Sequence, residues 1–204
     1  MDTDHPSFEQ EQKALQTHIT ALRAVLAPYL HERGRNFSSE QLVELMVAAP
    51  VALAIAFDGE IDSFELEVLA HSVRFAHRFF EEQLNEESQT FFRHLAEPDE
   101  RVRSHDFPQI LQEELMFLIK NYGAWKNLWT DALRTFLEME AWIQKHNPML
   151  KPIRKTVVEA MYVIYLKNKG NDEEEEKHLH EILQGIGIDV EGDYIKSLIQ
   201  SFSA

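Results

Sequence analysis

Hydrophobic positions recur along this chain at the three- and four-residue steps of α-helices, and polar breaks divide them into successive segments. The first stripe is Ala14, Leu15, Ile19, Leu22, Leu26 and Leu30; Pro28 predicts a kink or an end there, and Gly34 a stop. Ser38 or Ser39 is placed to cap the next helix, with Gln41 or Leu42 three residues on as a partial capping box. Leu42, Leu45, Met46 and Ala49 carry that helix to about Phe57, with a bend at Pro50. An acidic corner follows, and Leu66, Leu69, Val73, Ala76 and Phe80 then mark a helix over 63–83. Its outward ladder is Glu67, His71, Arg74, Arg78 and Glu82. Residues 85–107 are irregular, with a short apolar piece at Phe91, Phe92 and Leu95 and a break at Asp106-Phe107-Pro108.

Beyond Pro108, Ile110, Leu111, Leu115, Leu118 and Ile119 predict one helix, and residues 124–146 a long aromatic one bearing Trp125, Trp129, Leu133, Phe136, Leu137 and Trp142. Those tryptophans at helical spacing read as core. After Asn147-Pro148 a helix over 149–166 carries Ile153, Val157, Ala160, Met161 and Ile164. Gly170 ends it, an acidic run connects, and Leu179, Ile182 and Leu183 start another that Gly185 and Gly187 close. Tyr194, Ile195, Leu198, Ile199 and Phe202 form a last short helix. Gly59 and Gly170 both follow an apolar helix and precede acids and a helix. Setting one on the other places Glu65 opposite Glu176 and Asp62 opposite Glu173. The expected fold is therefore all-α: a single helical bundle (37–204) with two pseudo-repeated helix-corner-helix units, preceded by an N-terminal helical extension (1–36).

Composition narrows the function classes. Hydrophobic residues at 44% and charged residues at 27% are ordinary for a globular chain, and no apolar run is long enough to span a bilayer. The first residues are too polar for a secretion signal, which makes the cytoplasm the expected compartment. A net charge of −15 repels phosphates, so neither nucleic acid nor an acidic membrane is an expected partner. The chain has no cysteine, which removes disulfides, thiolate metal sites and thiol redox chemistry together. Seven glycines with no phosphate-cradling loop remove nucleotide motifs.

The corner, Asp58-Gly59-Glu60-Ile61-Asp62 with Glu65 after Ala52-x-Ala54-x-Ala56, resembles the TerB-like (tellurite resistance protein B) family, and Asn168-Lys169-Gly170-Asn171-Asp172 with Glu176 sits where that family carries a second copy. The resemblance covers about residues 40–84 and 150–200. It implies an all-helical bundle, a cytoplasmic stress-related role, an acidic corner associated with divalent metal, and no assigned enzymatic activity. Lys169 stands where the second copy's aspartate belongs. Any tellurite chemistry in this chain proceeds without thiols, so no reductase activity is expected.

The corner itself admits two readings. In one, Gly59 is the residue after a helix end, and Asp62 with Glu65 is a capping box whose acids also suit the helix dipole. In the other, Asp58 faces the carbonyls of a helix end, where a negative charge costs roughly 0.3–1 kcal/mol unless a cation offsets it. Glu60 adds a like charge, whereas the second corner puts Lys167 and Lys169 at the equivalent helix end. Asp58, Gly59, Ile61, Asp62 and Glu65 match half of a calcium-loop pattern, but Ala54 and Ala56 occupy its first two ligand positions and exclude an EF-hand. A water-rich Ca²⁺ or Mg²⁺ site drawn from Asp58, Glu60, Asp62 and Glu65 is what this second reading expects.

Other patterns carry less. Glu175-x-x-His178 has the spacing of a di-iron helix motif but lacks its second pair, and His178 and His180 do not share a helix face for zinc. No serine has a nucleophile-elbow context. Lys145, Lys151, Arg154, Lys155, Lys167 and Lys169 against Glu159 make a basic segment over 145–169, a docking patch for an acidic partner or an ordinary solvated face. The expected function is a non-enzymatic module that binds a protein partner and recruits a divalent cation at its corner. The alternative is a metal-free interaction scaffold using the basic segment; a homodimer is compatible with either.

Overall fold

The computed structural model describes residues 8–56, 61–83, 106–146, 173–190 and 192–202. Those residues form seven helices and no strand: α1 (Phe8–Glu32), α2 (Ser39–Ile55), α3 (Ser63–Gln83), α4 (Phe107–Lys120), α5 (Tyr122–His146), α6 (Glu173–Gly185) and α7 (Asp193–Phe202). The pieces expected at 91–95 and 149–166, the corner glycines Gly59 and Gly170, and all of the basic segment except Lys145 lie outside the described residues.

α2 is the centre of the assembly, for a reason written in its composition. Leu42, Val43, Leu45, Met46, Val47, Ala48, Ala49, Val51, Ala52, Leu53 and Ile55 are all buried, so the helix is apolar on every side and is covered on every side. It packs on α3, α4 and α5. Its start is fixed by a complete capping box: the Gln41 backbone N–H donates to Ser38 Oγ at 3.2 Å, and the Ser38 N–H donates to Gln41 Oε1 at 2.9 Å. Glutamine completes the box that the sequence suggested only in part. Pro50 and Pro28 both lie inside their helices, so α1 runs through Pro28 and ends at Glu32.

α1 lays its expected stripe on α5, with Leu15, Ile19, Leu22, Leu26 and Leu30 buried. Tyr29 is fully buried at their end, edge-on to Trp125 at 5.3 Å and Trp129 at 5.1 Å between centroids. The helix stops at Gly34, whose φ of 61° suits a residue without Cβ. The N–H of Arg35 donates to Leu30 O and that of Gly34 to His31 O, the two bonds of a Schellman turn. Gly187, at φ 80°, closes α6 in the same way, with Ile188 N–H on Leu183 O and Gly187 N–H on Gln184 O.

Two expected boundaries and one expected buried position differ in the structure. The acidic run before Leu179 is no connector: Glu173–Glu176 form the first turn of α6, where carboxylates meet the positive end of the helix dipole. The aromatic helix α5 starts at Tyr122, ahead of the expected Ala124. Leu66, expected in the buried stripe of α3, is 41% exposed, while its neighbour Glu65 is buried. Glu65 turns inward because its carboxylate reaches back to the start of its own helix.

Candidate functional site

The structure describes half of the expected corner site. The Asp62 backbone N–H donates to Glu65 Oε2 at 2.9 Å, and the Glu65 N–H donates to Asp62 Oδ1 at 2.8 Å. This is a reciprocal capping box at the head of α3. It satisfies two donors that a helix start otherwise leaves open, and it places two acids where the dipole favours them. Asp62 is exposed and Glu65 is 7% exposed. Asp58 and Glu60 lie outside the described residues, so two of the four candidate ligands are brought together, each with an oxygen committed to backbone N–H. Among the described residues, no group of three or more His, Asp or Glu side chains is placed to hold a metal ion.

The other side of the corner is the C-terminal end of α2, whose last carbonyls have no partner within the helix. One of them is taken by α6. His178 Nε2 lies 3.3 Å from Leu53 O, and since a carbonyl only accepts, the ring is the Nε2–H tautomer. His178 is buried, and its ring meets Tyr122 edge-on at 5.4 Å. Burial pushes its pKa below the ordinary histidine value and Lys126 adds to this; the bond to Leu53 and the charge of Glu181 oppose it. This histidine seats α6 on the end of α2 through its bond to Leu53. Lys126 Nζ to Glu181 at 2.9 Å and Arg134 Nε and Nη2 on Gly185 O secure the rest of α6 to α5.

The densest polar site was not expected. Glu114, on α4, has no solvent exposure and receives Arg33 Nε at 2.9 Å, Arg33 Nη2 at 3.1 Å, Arg35 Nε at 2.7 Å and the Tyr29 hydroxyl at 3.1 Å. The Schellman turn explains the geometry: with Gly34 at positive φ, the arginines on either side of it converge on one carboxylate. The Arg33 guanidinium also stacks over Phe117, 3.9 Å from the ring centroid. Burial alone would raise the Glu114 pKa, but the bonds from Arg33 and Arg35 outweigh it and hold the carboxyl below its ordinary value. Burial, with the Glu114 charge, raises the Tyr29 hydroxyl far above the tyrosine range. A signal existed: Glu114 falls within the apolar stripe Leu111, Leu115, Leu118, where a charge needs a partner. Glu44 repeats the pattern inside α2, with His77 Nδ1 3.3 Å from its carboxylate.

No family model, no curated protein and no solved structure matches this chain.

Proposed function

We propose that this chain is a non-enzymatic helical binding scaffold of the TerB-like kind, working in a cytoplasmic stress response through a protein partner, with a corner that serves the fold. The observation that carries the reading is the reciprocal Asp62–Glu65 box: both acids have a structural task that needs no ligand. The same economy holds elsewhere. Glu114 is matched by two arginines and a tyrosine, Glu44 by His77, and His178 by a carbonyl, so these buried ionisable groups serve packing. The TerB-like association rests on the residues of the corner. Partner docking through a helix face or through the basic 145–169 segment belongs to the same proposal.

The experiment is a melting curve of the intact protein with and without millimolar Ca²⁺ or Mg²⁺. A ligand that binds only the folded state must raise the melting temperature by mass action. The scaffold reading expects no shift beyond that of a matched ionic strength. A metal-specific rise that Asp58→Asn abolishes would instead establish a cation site of Asp58, Glu60, Asp62 and Glu65.

A further inference from the structure

We draw no further inference here: the strongest candidate, the exposed and uncharged face of α1 formed by Thr17, Ala21, Ala24 and Pro28, is a stripe of small residues, and nothing in the structure shows what covers it.

Discussion

A carboxylate with no solvent contact is tolerable only where the bonds it makes replace its hydration, and Glu114 meets that condition with two guanidinium groups and a hydroxyl. Arg33 and Arg35 are themselves about a quarter exposed, with side chains at 24% and 28%, so removing Glu114 leaves them access to water. Glu114→Gln should therefore destabilise by about 2 kcal/mol, the scale of hydrogen bonds to a charged group, and not by the larger cost of stranding a buried ion. Glu113→Gln, whose carboxylate is 51% exposed and 3.3 Å from Arg35, should stay within about 0.5 kcal/mol. Urea denaturation of the two variants checks both. The sign with pH follows from the lowered Glu114 pKa: its contribution is present above the unfolded carboxylate value and lost as pH falls through the folded one. Positional pattern alone reveals that Glu114 sits in an apolar stripe. It does not reveal the partner, because Arg33 lies 81 residues away and meets it only once α1 and α4 are packed.

Helices were the most legible part of the chain, since a stripe of apolar side chains at helical spacing has few other ways to be buried. Leu15 to Leu30 on α1 and Leu111 to Ile119 on α4 are buried as the spacing requires. Where the reading of elements failed, a local polar interaction had overruled the stripe. Glu65 is buried with its carboxylate on the Asp62 N–H while Leu66 is 41% exposed, and the acids of Glu173–Glu176 belong to α6 instead of leading into it. The seat of α6 on α2 was not legible, since a bond between His178 and Leu53, 125 residues apart, leaves no periodic trace. It has a measurable consequence. The folded pKa of His178 lies below the unfolded one, so the unfolded chain takes up the proton first. Its contribution to stability is whole above the unfolded value of about 6.5 and is lost as pH falls from there through the folded value. His178→Gln, which keeps an N–H donor and cannot titrate, should flatten the fall in urea midpoint between about pH 7.5 and 5.5. His18, whose pKa burial also lowers, contributes in the same direction. An unchanged slope would show that His178 does not couple to folding.

At the scale of the whole molecule, an all-helical assembly has formed around one apolar helix, and no described helix is long and apolar enough to cross a membrane. Two helix ends meet beside the corner: the head of α3, closed by Asp62 and Glu65, and the tail of α2, where His178 takes a carbonyl. The corner is thus a junction of the fold, and its described acids are occupied in that role. Substituting Asp62 tests this most directly, because asparagine caps a helix as well as aspartate while carrying no charge for a cation. With unfolding free energies measured in the presence of a chelator, Asp62→Asn should match the parent and Asp62→Ala should lose roughly 0.5–2 kcal/mol. If Asp62→Ala costs nothing under chelation, and both variants are destabilised relative to the parent only when Ca²⁺ or Mg²⁺ is restored, the acids belong to a metal site and not to the helix cap.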